Sequence, residues 1–286
     1  VYRVEGRPAR LAKIYTTATR PGYADKLAWM AAHPPEDDLD APGHRSLAWP
    51  LELVYAGRSA ERRLAGYQMP YVRGAVSVLE VFNPRLRRRV LPGFDRRYLH
   101  RAARNLASAM AALHAYGYVI GDINESNVLV TPSALVTRID VDSFQVTETL
   151  LGGETRIHPC PVGKLEYTPP ELQGRALAET LRAPEHDAFG LGVLVFQLLM
   201  EGNHPFRARW LGKGDPPPLE QRIAAGAFPY VADSGAPLQP PEDAPPLETL
   251  APPLAELFRR CFADARRDPT LRPSAAEWSR ALAEAE

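Results

Sequence analysis

Two apolar runs that close on carboxylates, thirteen residues apart, constrain this chain more than any other feature. In the first, Val119-Ile120-Gly121-Asp122-Ile123-Asn124-Glu125-Ser126-Asn127-Val128-Leu129-Val130, strand-like residues flank a dense polar turn. In the second, Ile139-Asp140-Val141-Asp142, Asp140 lies thirteen residues beyond Asn127. A hard cation such as magnesium takes oxygen ligands, keeps some of its waters and is commonly shared with phosphates. An Asn amide oxygen with one or two carboxylates suits it, and the chemistry this suggests is phosphoryl transfer.

A length of 286 residues exceeds the usual single-domain size and allows two lobes around one cleft. Lys plus Arg and Asp plus Glu both number 34, so global charge gives no reason to expect nucleic acid or an anionic membrane as partner. Cys160 and Cys261 lack metal-ligand spacing and suit a reducing compartment, so a cytoplasmic location is expected. The most apolar stretch, Phe189 to Met200, is broken by Gln197 and falls short of the roughly 18 residues of a membrane span. It is read as a buried helix. Val1 enters a strand pattern at once, without initiator Met or signal-like segment, and is not expected to be the natural start.

The first 72 residues read mostly as strands: Val1 to Val4, Leu11 to Tyr15, Leu47 to Ala56 and Leu64 to Val72. Tyr23 to Ala32 is the one helix expected among them, stopped by His33-Pro34-Pro35. From Tyr98 to Tyr116, Leu99, Ala102, Leu106, Met110 and Leu113 share a helical face, and the pattern ends at Gly117. Gly214 to Pro253 contains eleven prolines, which predicts a long, partly extended loop. The arginines at 85, 87, 88 and 89 read as a solvated charged face, and no nucleic acid is expected.

Lys13 between strand residues, Asp122-x4-Asn127, Ile139-Asp140, Pro169-Pro170-Glu171, Asp187-x-Phe189-x-x-Gly192 and Arg272-Pro273 occur in an order that resembles the bacterial, eukaryotic-like Ser/Thr protein kinase domain. The resemblance runs over nearly the whole chain. It implies an α+β, two-lobed fold: residues 1–72 as an ATP-binding lobe with a small antiparallel sheet and one helix, and 73–286 as a larger, mainly helical lobe. It also implies ATP and magnesium as cofactors, a protein substrate, and a glycine-rich loop upstream of Val1.

Carried onto this sequence, the resemblance makes Lys13 the contact to the α and β phosphates; a lysine snorkelling from an edge strand is the alternative. The chain has only four lysines against thirty arginines, which makes this one informative. Met69 and Tyr71 would border the adenine, with Pro70 able to offer only its carbonyl. Asp122 would accept or orient the proton of the acceptor hydroxyl, or else cap a local turn. Asn127 and Asp140 would hold magnesium, and Asp142 would be a second ligand or a solvated strand-end carboxylate. Glu171, Arg272 and Asp187 would be scaffold residues, and Thr147, Thr149, Thr155 and Thr168 possible phosphoacceptors. Cys160 is read as an ordinary loop cysteine.

Four departures accompany the resemblance. Tyr23 to Ala32 has no Glu to pair with Lys13 and only one carboxylate, Asp25, of shorter reach. Gly121 stands where many members have arginine, which makes activation through a phosphorylated segment less expected. Asn124 stands where a lysine usually touches the transferring phosphate, and no glycine-rich loop is visible. An aminoglycoside- or choline-type small-molecule kinase and an ATP-binding pseudokinase scaffold are the alternative readings.

Overall fold

The computed structural model describes residues 1–17, 19–36, 44–58, 62–231, 234 and 236–286. Strands β1 (Tyr2–Val4) and β2 (Arg7–Ile14) form a hairpin, followed by helix α1 (Tyr23–Ala32), β3 (Glu52–Ala56) and β4 (Arg63–Pro70). The four strands make one antiparallel sheet in the order β1-β2-β4-β3. The register sets Lys13 opposite Tyr67 and Ile14 opposite Gly66. A Cβ at Gly66 would lie 1.9 Å from the Lys13 carbonyl oxygen, so only glycine lets β4 pass this close to β2. Helix α1 has the bounds predicted for it. It buries Lys26, Leu27 and Met30 and ends where the His33 N–H caps the Trp29 and Met30 carbonyls, ahead of Pro34.

Beyond the sheet the chain becomes mainly helical. After β5 (Val76–Ser77), α2 (Val78–Phe82) and α3 (Pro84–Val90) comes the long helix α4 (Arg96–Ala115). This helix starts two residues before the predicted position because the Asp95 carboxylate caps the Arg97 and Tyr98 N–H groups. Strand β6 (Val128–Val130) pairs antiparallel with β5 on one side and β7 (Val136–Arg138) on the other, and β8 (Val146–Thr149) pairs with β9 (Thr155–His158). Helix α5 (Pro184–Leu199) is buried without interruption from Asp187 to Leu199, as its apolar sequence predicts.

After α5 come β10 (Arg209–Trp210), α6 (Leu219–Ala224), β11 (Leu238–Gln239), α7 (Pro252–Phe262) and α8 (Ala275–Glu284); α4 and α7 pack on α5, and α8 packs on α4 and α7. Phe189, Phe196, Phe206, Phe228, Phe258 and Phe262 meet mostly edge to face, with centroids 5.0–6.2 Å apart for pairs such as Phe196–Phe258 and Phe206–Phe228. Each such pair adds about 0.5–1.5 kcal/mol beyond burial. The proline-rich segment expected as a loop contains α6 and β11; its residues 232, 233 and 235 lie outside those described.

Two predicted strands are shorter than expected, each for its own reason. Leu47 to Leu51 does not extend β3. The Ala48 N–H instead bonds to the Arg138 carbonyl and the Arg138 N–H to the Ser46 carbonyl, each at 2.8 Å, which draws this segment along β7. Val119 makes only a single bridge, to Gln145, because Gly121 (φ 72°) turns the chain away immediately afterwards. The result is a mixed chain of small antiparallel sheets and helices, compatible with a kinase-like fold. Among the described residues, no helix is long and apolar enough to cross a membrane.

Candidate active site

The turn after Gly121 is organised around Asp122. Asn124 Nδ2 donates to Asp122 Oδ1 and Asn127 Nδ2 to Asp122 Oδ2, both at 3.0 Å. The loop is held from beneath by Asp187 of α5, whose carboxylate accepts from the N–H groups of Ile120 (2.7 Å) and Gly121 (2.8 Å) and contacts His114 Nε2 (2.9 Å). Asp187 thus ties this loop to the central buried helix, a scaffold role such as the resemblance implies. Arg138 is fully buried, and among the described residues its guanidinium nitrogens have no hydrogen-bond partner. Burial pushes it down to about 10, against the opposing charges of Asp187, Asp122 and Asp140.

The second carboxylate run joins the first through the Ile139 N–H, which donates to the Asn127 carbonyl at 3.0 Å. Asp140 occupies the left-handed region (φ 60°, ψ 33°), a conformation that a non-glycine residue adopts only when its surroundings enforce it. Lys13 Nζ bonds both Asp140 Oδ1 and, at 2.6 Å, Asp142 Oδ1. The two carboxylates differ sharply: the Asp140 side chain is 41% exposed and that of Asp142 only 4%.

Asp142 is enclosed by hydroxyls. Tyr67 donates to Oδ1 at 3.0 Å, and Tyr15 and Tyr23 donate to Oδ2 at 2.9 Å each. Lys26 Nζ donates to the Asp142 backbone carbonyl at 2.8 Å. Burial would raise the Asp142 carboxyl, but the Lys13 charge and these hydrogen bonds hold it below its ordinary value. Burial and then the Asp142 charge push all three tyrosines far upward, so they remain donors. Lys13 is raised: burial lowers it, and the two carboxylates more than offset that. Lys26, 2% exposed, is pushed down to about 8 by burial.

Several expected residues have surroundings other than those predicted. Asp142 is neither solvated nor an open ligand, because both of its oxygens already accept two donors. Asp25, the one helix carboxylate, pairs with Arg156 at 3.2 Å. The Tyr71 N–H is used by the Ala9 carbonyl, leaving no amide there for a purine, and Met69 is buried in the sheet. Thr168 is buried and donates to the Lys164 carbonyl, unlike an accessible phosphoacceptor.

Among the described residues no three His, Cys, Asp or Glu side chains cluster as a self-sufficient metal site. The donors that fit a magnesium ion shared with phosphates are the half-exposed Asp140 and Asn127, whose Nδ2 is turned to Asp122 so that Oδ1 faces elsewhere.

Other partners escaped sequence reading. Arg182, 5% exposed, donates to the Gly121 carbonyl (3.1 Å) and the Val162 carbonyl (3.3 Å), clasping the loop to the segment that follows β9. Its own backbone is fixed by two 2.8 Å bonds to the Gln145 amide. Cys160 lies in a loop, as read, and packs more tightly than the sequence showed. It is buried against Gly121, where an added Cβ would come within 2.7 Å of the Cys160 Cβ, and burial pushes its thiol up. Lys164 pairs with Glu125, bringing a lysine to the loop where Asn124 supplies none. Unlike these, the pairing of Arg272 with Glu171 was implied by the resemblance: two bonds of 2.6 and 2.7 Å join them, with the Arg272 side chain 1% exposed. Two signals for the Asp142 cage were present in the sequence. Tyr15 follows Lys13 by two residues on the same strand face, and Lys26, another rare lysine, lies on the apolar stripe of α1.

Comparison with known proteins points the same way. Over 284 residues, 99% of its length, the chain is 34% identical to proteins named protein kinase YegI from Escherichia coli O157:H7 and from Escherichia coli strain K12. The likeness is to protein kinases. A 103-residue stretch, 36% of the chain and 7% of the relative, is 31% identical to a mouse PAS domain-containing serine/threonine-protein kinase. The chain spans 42% of the length of the two YegI relatives. No family model matches.

Proposed function

We propose that the chain is the catalytic part of an ATP-dependent protein kinase that transfers the γ-phosphoryl group to Ser or Thr hydroxyls of proteins. In this reading residues 1–72 and 73–286 form the two lobes. The observation that carries it is the joining of the two acidic loops: Asn127 bonds Asp122 through its side chain and Ile139 through its backbone, while Asp140 bonds Lys13 from the opposite sheet.

Lys13 would hold the α and β phosphates, and Asn127 and Asp140 would hold magnesium, which supplies charge neutralisation at the phosphates when bound. Asp122 orients the acceptor hydroxyl and takes its proton as the oxygen bonds to the γ phosphorus; the bond to the ADP oxygen breaks, and the proton later passes to solvent. Both Asp122 oxygens are steadied by amides, which fixes their direction. Lys164 is the candidate for the positive charge missing at Asn124. The Glu171–Arg272 anchor supports a protein acceptor over a small molecule, since it belongs to the peptide-binding apparatus implied by the resemblance.

The test is transfer from labelled ATP with magnesium, to the chain itself and to a generic protein, beside Asp122→Ala. Transfer that disappears in the variant supports the reading. ATP binding without transfer to any acceptor would replace it with a scaffold, and transfer only to small hydroxyl compounds with a small-molecule kinase.

A further inference from the structure

We propose that Asp142, anchored by Tyr15, Tyr23 and Tyr67, is the residue that positions Lys13, in the place a helix carboxylate would otherwise hold. This rests on the reading of Lys13 as a phosphate contact.

Helix α1 cannot supply the partner. It has no glutamate, Asp25 is paired with Arg156, and the side chain it buries toward the site is a cation, Lys26. The carboxylate therefore has to come from another element, and two are within reach of Lys13. Asp140 is the exposed one, and among the described residues no side chain other than Lys13 donates to its carboxylate. When a cation takes Asp140, that bond of Lys13 is given up.

Asp142 is the fixed one. Its four lone-pair directions are filled by Lys13 and three hydroxyls, so ligating a metal would break bonds already made inside the protein. The choice of tyrosines matters. Neutral donors satisfy a buried carboxylate without cancelling its charge, leaving the attraction to Lys13 undiluted. Tyr23 extends the arrangement to α1, so the helix still takes part in holding Lys13, through a hydroxyl that reaches the carboxylate instead of a carboxylate of its own.

Two measurements test this. The first needs no catalysis: acylation of Lys13 by a lysine-selective reagent, read by mass spectrometry. Asp140→Asn is expected to leave Lys13 protected, and Asp142→Asn to make it reactive. Greater reactivity in Asp140→Asn than in Asp142→Asn overturns the proposal. The second is a cycle on nucleotide affinity and on kcat/KM. Asp142→Asn is expected to lower kcat/KM by about 10- to 100-fold, the range for removing a partner that orients a functional group. Added to Lys13→Ala, it is expected to lower it no further.

The magnesium concentration for half-maximal activity stays unchanged if Asp142 acts through Lys13. A large rise in it would mark Asp142 as a metal ligand and overturn the assignment. Tyr23→Phe, which preserves packing, should weaken nucleotide affinity in the same direction by a smaller factor. Failure of wild-type protein to bind nucleotide at all would refute the underlying function, while the acylation result would still decide the Lys13–Asp142 pairing.

Discussion

The loop around Asp122 and the loop around Asp142 both immobilise a carboxylate, by opposite means. Asp122 takes its donors from Asn124 and Asn127, two and five residues along the chain. Asp142 takes its donors from Lys13, Tyr15, Tyr23 and Tyr67, which are 75 to 129 residues away. A carboxylate held locally keeps its geometry while its surroundings shift and can stay accessible to an acceptor. One held by three remote elements registers whether the sheet, α1 and the loop after β7 are assembled.

The strongest test of the locally held carboxylate is Asp122→Ala, expected to reduce phosphoryl transfer by roughly 10² to 10⁴ in kcat while ATP affinity is retained. Parallel losses of rate and affinity would mean that the two loops are not separable. Arg272→Ala probes another remote pair and should destabilise the fold by about 3 to 5 kcal/mol, because it strands the half-buried Glu171, which Arg272 holds below its ordinary value against the effect of burial. Denaturant unfolding measures this directly.

Gly121→Ala asks how far the local loop relies on its remote floor. The positive φ together with the contact to Cys160 should destabilise by up to about 3 kcal/mol. Cys160→Gly in the same chain should recover part of that, as read from melting temperatures.

On the Asp142 side, Lys26→Met is expected to stabilise at pH 7 by about 2 kcal/mol, the burial penalty on the ammonium less one hydrogen bond. The sign follows from the lysine being pushed down to about 8 in the folded protein, below its unfolded value near 10.5. Below pH 8 it is charged in both states and the full penalty acts. Between pH 8 and 10.5 the folded state sheds its proton first and wild-type stability recovers. The gap between variant and wild type should therefore narrow by pH 10 in unfolding measurements.

What could be read from the sequence follows the same division. Helix α1, the buried course of α5 and the polar turn at 122–127 rest on short spacings or burial patterns and were legible, whereas the scaffold role of Asp187 came from the resemblance to the kinase domain. The length of Leu47–Ala56 was misjudged because β7 competes for that backbone, and pattern alone does not reveal a competing strand. The role of Asp142 was hidden for a related reason. Two carboxylates two residues apart look equivalent along the chain, and only the fold exposes one and encloses the other. Arg182 and Cys160 lay in stretches without periodicity, so nothing marked their approach to Gly121.

Helix α1 is fastened at both ends, by different partners. At its carboxyl end Trp49 Nε1 donates to the Met30 carbonyl at 2.7 Å, the Tyr118 hydroxyl donates to the His33 carbonyl at 2.6 Å, and the Trp49 and Tyr118 rings meet edge to face. At its amino end the Tyr23 hydroxyl reaches Asp142. The two sets of anchors stand about 15 Å apart at 1.5 Å per residue, so a rotation of a few degrees about Trp49 would carry Tyr23 about an ångström, a distance comparable with the reach of its one hydroxyl to Asp142.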